Sequence, residues 1–182
     1  MNVLLRLAGL FAASVALISC QAQNGNEPKG SAPSARALDE QTGKPLAAVA
    51  KVIKTDEEWR QLLTAEQFRI TRQKGTERPY QNEYNANQAA GVYHCVGCDF
   101  DLFSSETKYE SGTGWPSFWR PLAPNRVKTE PDNSLFARRT EVLCNRCDAH
   151  LGHVFEDGPP PTGQRYCLNS AALKFKKGPP DP

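Results

Sequence analysis

The apolar and polar positions divide the chain into three parts. Behind Arg6, residues 7–18 form a nearly unbroken apolar run. It is shorter than the roughly 20 residues a membrane-spanning helix requires, and it ends in Leu17-Ile18-Ser19-Cys20. This layout predicts an export signal over residues 1–19. Residues 20–50 are rich in Gly, Ser, Pro, Asn and Ala, the composition of a flexible tether. Residues 51–176 carry the patterning of a folded domain, and residues 177–182 are a tail.

Helix signals come first in the folded part. Thr55-Asp56-Glu57-Glu58 is a capping box, in which Thr55 caps the backbone and Glu58 reaches back to it. A helix to about Leu63 should follow. Thr64-Ala65-Glu66-Gln67 repeats the device and predicts a second helix toward Gln73, with Gly75 placed to stop it. Residues 78–90 are polar and turn-like. Short strand candidates follow over residues 91–95, 101–103, 134–142, 149–155 and 165–175. Two capped helices ahead of antiparallel-looking strands predict an α+β fold with a dominant β part. Fourteen prolines and thirteen glycines agree with many turns between short elements. A net charge of +2 is too small to argue for nucleic acid or an anionic membrane surface as partner. No internal repeat is visible.

Six cysteines stand at 20, 95, 98, 144, 147 and 167. Cys20 belongs to the leader. Cys95-Val96-Gly97-Cys98 and Cys144-Asn145-Arg146-Cys147 are two C-x-x-C pairs, each able to give two thiolates to one tetrahedral zinc ion. Gly97 and Asn145 suit the tight backbone of such knuckles. Disulfides within the pairs, or one redox-active dithiol, are the competing readings. Cys167 is left without an internal partner. Alternation along Arg165-Tyr166-Cys167-Leu168-Asn169 would put Arg165, Cys167 and Asn169 on one face, a thiol between a guanidinium and an amide. A nearby cation favours thiolate, so Cys167 is a candidate nucleophile; a buried cysteine in an ordinary strand is the alternative.

The chain has three histidines. His150 and His153 lie in Ala149-His150-Leu151-Gly152-His153-Val154-Phe155, where a regular strand would put them on opposite faces. A bulge at Gly152 could turn both toward one site. A local Cys₂His₂ centre with Cys144 and Cys147 is a rival reading that would orphan the first pair. His94, beside Cys95, reads as support for its knuckle. In Gly112-Thr113-Gly114-Trp115-Pro116-Ser117-Phe118-Trp119, Trp115 and Phe118 are candidates for an aromatic wall around a small apolar group, against plain core packing.

Together these stretches resemble the methionine-R-sulfoxide reductase B family. The resemblance runs from Thr55 to Phe175. It rests on Arg69-Ile70-Thr71-Arg72-Gln73-Lys74-Gly75-Thr76-Glu77, on both C-x-x-C pairs, and on Gly114-Trp115-Pro116-Ser117-Phe118. It also rests on Cys147 through Phe155 and on Arg165 through Ser170. It implies a mainly antiparallel β fold of two small sheets with a structural zinc held by Cys95, Cys98, Cys144 and Cys147. The implied reaction reduces the R epimer of methionine sulfoxide in proteins or peptides. Cys167 would attack the sulfoxide sulfur and become a sulfenic acid. His150, His153, Arg165 and Asn169 would polarise the sulfoxide and handle its proton, and Trp115 would pack the methyl group. Many family members carry a resolving cysteine where this chain has Thr113. Its absence predicts regeneration by an external thiol, either a thioredoxin-like protein or a small thiol. A catalytically silent zinc-stapled binding lipoprotein and a C-x-x-C thiol–disulfide oxidoreductase are the other two readings. The leader resembles a lipoprotein signal with lipidation at Cys20. That implies anchoring on the periplasmic side of the cell envelope, at the outer membrane since Gln21 is not an aspartate; the chain is expected to be a monomer.

Overall fold

The computed structural model describes residue 43 and residues 46–134 and 138–178. The expected export signal, its lipidation position and most of the tether lie outside the described residues. Helices α1 (Asp56–Leu62) and α2 (Ala65–Gln73) begin at the two capping boxes, with both reciprocal hydrogen bonds formed in each. Lys74, in the left-handed conformation, ends α2 one residue before the expected glycine. Gly75 instead lies close against Arg69, where a Cβ would stand 3.0 Å from the Arg69 carbonyl and displace its guanidinium.

Nine strands follow among the described residues: β1 (Gly91–Cys95), β2 (Asp101–Ser104), β3 (Lys108–Tyr109), β4 (Ser117–Phe118), β5 (Val127–Asp132), β6 (Arg139–Cys144), β7 (His150–Phe155), β8 (Arg165–Leu168) and β9 (Leu173–Lys177). They build two antiparallel sheets, one ordered β2-β1-β9 and one ordered β3-β4-β8-β7-β6-β5. The fold is α+β and mainly antiparallel β. Strands β3 and β4 are too short to leave a period in the sequence. Strand β5 is an edge, where the exposed Thr129, Glu130 and Pro131 are tolerated and the hydrophobic alternation is lost. The strand expected over residues 134–142 starts later, at Arg139. The run expected as one strand over 165–175 breaks at a 3₁₀ turn, Ser170–Ala172, and crosses from the larger sheet to the smaller.

The larger sheet has two unlike faces. Phe118, Leu151 and Leu168 join Trp59, Ile70, Tyr93 and Phe103 in the buried core. Tyr109, Ser117, Cys167, His153 and Glu141 stand opposite one another across five strands, β3, β4, β8, β7 and β6. Directly paired residues share a face, so this register row sets one line of polar chemistry across the sheet. The chain joins this domain before residue 51. The Ala47 carbonyl accepts from Asn125, and the Val52 amide donates to the Arg146 carbonyl at 2.8 Å.

Candidate active site and metal centre

Each C-x-x-C pair sits at a strand end and turns back in the same way. The Asp99 amide donates to the Cys95 carbonyl and the Asp148 amide to the Cys144 carbonyl, both at 2.9 Å. Asp99 and Asp148 take the left-handed conformation, at φ 58° and 59°. The strained residue of each knuckle is therefore the aspartate after the second cysteine, not Gly97 or Asn145. Gly97 has another task, since a Cβ there would lie 3.3 Å from the Trp59 ring. The His94 ring faces the Asp99 carbonyl at 3.3 Å, which braces the first knuckle.

The first knuckle belongs to the smaller sheet and the second to the larger, yet their four sulfurs lie within 4.8 Å of one another. The Cys95–Cys147 and Cys98–Cys144 sulfur separations are both 3.6 Å. A disulfide requires about 2 Å, so none is present. Sulfurs at the corners of a tetrahedron with zinc–sulfur bonds of about 2.3 Å stand about 3.8 Å apart. The donor set fits zinc, and it joins both pairs in one site. His150 is bonded to Glu141 and His153 to Asp132, which excludes the Cys₂His₂ alternative.

Cys167 is the one described cysteine outside that cluster. It lies in a cavity of about 140 Å³ lined by Thr76, Trp115, Arg139, Gly152, His153, Phe155, Cys167, Leu168 and Asn169. Burial pushes its thiol pKa up, while Thr113, Arg165 and Ser117 pull it down. Arg165 does not line the cavity. Its guanidinium makes two 2.8 Å hydrogen bonds to Asp157 and lies over the Phe155 ring. Asn169 is held at both ends of its amide: Nδ2 donates to the Leu151 carbonyl at 3.1 Å, and Oδ1 accepts from the Glu77 amide at 3.0 Å. One Nδ2 proton is left over.

The bulge in β7 is real. Val142 faces Gly152 while Leu143 faces His150, so Leu151 is the extra residue. The histidine rings stand 5.5 Å apart at 68°. Gly152 has φ 156° and leaves no space for a Cβ, which would fall 2.1 Å from the Cys167 carbonyl oxygen. His153 Nε2 meets Asp132 at 2.8 Å, and Arg139 holds the same carboxylate at 2.7 Å. The Ser134 hydroxyl, with His153, keeps the Asp132 carboxyl far below its ordinary value. His150 is buried behind His153 and meets Glu141 at 2.7 Å; its Nε2 has no protein partner. Burial pushes the His150 pKa down. Burial opposes ionisation of Glu141, but Lys74 at 2.6 Å and His150 outweigh it and hold the carboxyl low.

Against this geometry, a family model described as the SelR domain matches residues 63–177. The chain is also 62% identical over 125 residues to the peptide methionine sulfoxide reductase MsrB of Hahella chejuensis, covering 69% of this chain and 90% of that one. The chain belongs to the MsrB family. It is similar to the MsrB of Methanosarcina mazei, 55% identical over 127 residues covering 70% of this chain and 91% of that one. The chloroplastic peptide methionine sulfoxide reductase B1 of Oryza sativa is 62% identical over 124 residues, 68% of this chain and 58% of its own length.

Within this MsrB fold, Cys167, His153, Asn169 and Trp115 meet at the cavity, with His150 and Arg165 one layer back. Phe118 does not belong to the wall. It is fully buried on the core face, 4.8 Å from the Phe103 ring and 5.0 Å from the Tyr93 ring. Phe155 supplies the second aromatic side instead. Glu77 is the residue that sequence reasoning missed. Its amide holds Asn169, its carbonyl accepts the Trp115 indole proton at 3.2 Å, and its carboxylate accepts the Ser170 and Ala171 amides. One residue thus fixes both neighbours of the cavity and the turn after Cys167. Glu77 lies in the 69–77 stretch that carried the family resemblance, but a lone carboxylate in a loop gives no sequence signal of this role.

Proposed function

We propose that the chain is a peptide methionine-R-sulfoxide reductase that cycles through a single catalytic thiol, exported and anchored by lipid at Cys20. The observation that carries the chemistry is Cys167 in a small cavity between the Trp115 and Phe155 rings, with His153 and Asn169 alongside. The rings suit a methyl group, and the polar edge suits a sulfoxide oxygen.

The Cys167 sulfur attacks the sulfoxide sulfur as thiolate. His153, supported by His150, delivers protons to the oxygen, and the spare Asn169 amide proton binds it. In sum, one oxygen passes from methionine sulfoxide to Cys167. The substrate sulfur is reduced by two electrons, methionine leaves, and Cys167 is oxidised to the sulfenic acid. One external thiol then displaces water to form a mixed disulfide. A second thiol releases Cys167 and leaves as the external disulfide. Arg165, held in place by Asp157, pulls the sulfur toward thiolate against the effect of burial. Zinc supplies structure.

Thr113 supports the external route, because its hydroxyl, not a second thiol, lies 3.9 Å from the Cys167 sulfur. Separate assays with R and S epimers and several thiol reductants test the reading. Turnover of the R epimer only is expected, with mass spectrometry after substrate alone showing oxidised Cys167 and no internal disulfide. Turnover of neither epimer, or a disulfide linking Cys167 to another cysteine of the chain, defeats it. Cys167→Ser should abolish turnover and keep zinc. For the anchor, membrane association that persists in Cys20→Ala removes the lipid.

A further inference from the structure

The site holds three hydroxyls that the reaction above does not use. Ser111 Oγ lies 2.8 Å from Thr113 Oγ1 and 2.8 Å from Ser117 Oγ. Thr113 Oγ1 lies 3.9 Å from the Cys167 sulfur, and Ser117 Oγ lies 3.2 Å from the Trp115 carbonyl. Ser117 is fully buried and pairs with Cys167 across β4 and β8. The chain of contacts is unbroken from the Trp115 carbonyl through Ser117, Ser111 and Thr113 to the sulfur.

We propose that Ser117, Ser111 and Thr113 form a reversible hydroxyl relay that holds Cys167 in its thiol, thiolate and sulfenic acid states. The proposal rests on the single-thiol cycle described above. Each hydroxyl has one proton to give, and proton counting yields one complete pattern for the thiol and one for the thiolate. As a thiol, Cys167 donates to Thr113, which donates to Ser111, then Ser117, then the Trp115 carbonyl. As a thiolate, the sulfur only accepts. The direction then reverses, Ser117 to Ser111 to Thr113 to sulfur, and each bond polarises the next. Thr113 is also the donor within reach of an oxygen newly bound to that sulfur. The relay shelters the oxidised sulfur until a thiol arrives from outside.

The mount is rigid, as such a relay requires. Thr113 sits between Gly112 and Gly114, both at positive φ. The Gly114 carbonyl accepts from the Tyr80 amide at 2.8 Å and from Asn82 at 2.7 Å. The Tyr80 hydroxyl binds the Gly112 carbonyl, and the Gly112 amide donates to Glu110 at 2.9 Å. Two sheet strands hold Ser117 from either side, since it pairs with Tyr109 and with Cys167.

The test compares wild type, Thr113→Val and Thr113→Ser as zinc-loaded proteins. The first readout is the rate of Cys167 alkylation by iodoacetamide against pH, without substrate. The other charged and titratable groups around the sulfur, Arg165, Asp157, His153, Arg139, Asp132 and Tyr109, are the same in all three. Thr113→Val keeps the volume and removes the hydroxyl, so its midpoint should rise by about half to one pH unit, with Thr113→Ser close to wild type. A Val midpoint equal to wild type, or a Ser midpoint raised as far as Val, overturns the relay. The second readout traps the sulfenic acid with a 1,3-diketone after one equivalent of sulfoxide. Thr113→Val should lose the trappable species several-fold faster than wild type, and equal lifetimes overturn the sheltering role. If wild type itself forms no sulfenic acid, the single-thiol cycle fails, and the alkylation midpoints still decide whether the relay exists.

Discussion

Replacing Gly152 by alanine should damage catalysis far more than folding. The added Cβ would sit 2.1 Å from the Cys167 carbonyl oxygen, 2.9 Å from the Leu168 Cα and 3.1 Å from the Cys167 carbonyl carbon. Ordinary contact for such atoms is about 3.5 Å. Strands β7 and β8 must therefore separate by about 1 Å, since all three opposing atoms are backbone and none can rotate away. Overpacking of this kind costs about 1–3 kcal/mol of stability, which a domain with its metal staple intact survives. The same displacement falls on the pair His153 and Cys167, which face each other across those strands. A misplacement of about 1 Å between reacting groups lowers turnover about 10²-fold. Steady-state reduction of a peptide methionine sulfoxide measures it, with zinc content and the melting temperature as controls. Turnover within threefold of wild type would refute the claim that the bulge sets the geometry. A total failure to fold would refute the claim that the damage is local.

Three further outcomes follow from the geometry. Glu77→Ala removes the acceptor of two backbone amides and frees the loop that holds Asn169 and Trp115; KM should rise and kcat fall about tenfold, with rescue in Glu77→Gln, and unchanged kinetics in both would remove the hub. Stripping zinc with a strong chelator should cost on the order of 10 kcal/mol, read as loss of the cooperative thermal transition, and an unchanged melting curve would exclude a structural metal. His150 has a folded-state pKa below its unfolded 6.5 because it is buried, so the unfolded state binds more protons below that pH and stability should drop as pH falls from about 6.5. Glu141, also lowered, should add a further loss near the ordinary carboxylate range. Urea midpoints between pH 8 and pH 4 check both, and a His150→Gln protein with the same slope across pH 6.5 would contradict the assignment.

The local signals were legible wherever the physics is local. Both capping boxes, the paired knuckles, the glycine bulge between the histidines and the lone thiol could all be read from neighbouring residues. What could not be read depends on distant approach. Strands β3 and β4 are two residues each; β4 exists because β8 lies beside it, and β3 because β4 does. Glu77 acts through its backbone as much as its side chain, and backbone contacts carry no residue code. Phe118 illustrates the same limit in reverse, because its neighbour Ser117 faces the thiol and pleating sends the ring to the core. The carboxylates Asp132 and Glu141, which orient the histidines, arrive on strands whose boundaries composition did not reveal.

The 3₁₀ turn at Ser170–Ala172 carries the chain from β8, which bears Cys167, to β9, where Leu173 pairs with Cys95. The Val96 amide inside the first knuckle donates to the Ala172 carbonyl at 3.0 Å. The Cys167 sulfur, proposed to be oxidised on each turnover, and the four sulfurs of the metal site are thus ends of one short mechanical linkage. An oxidant that strips the knuckles would slacken the catalytic strand through that linkage. The same chemical stress that creates work for this protein would then set an upper limit on the dose it can withstand.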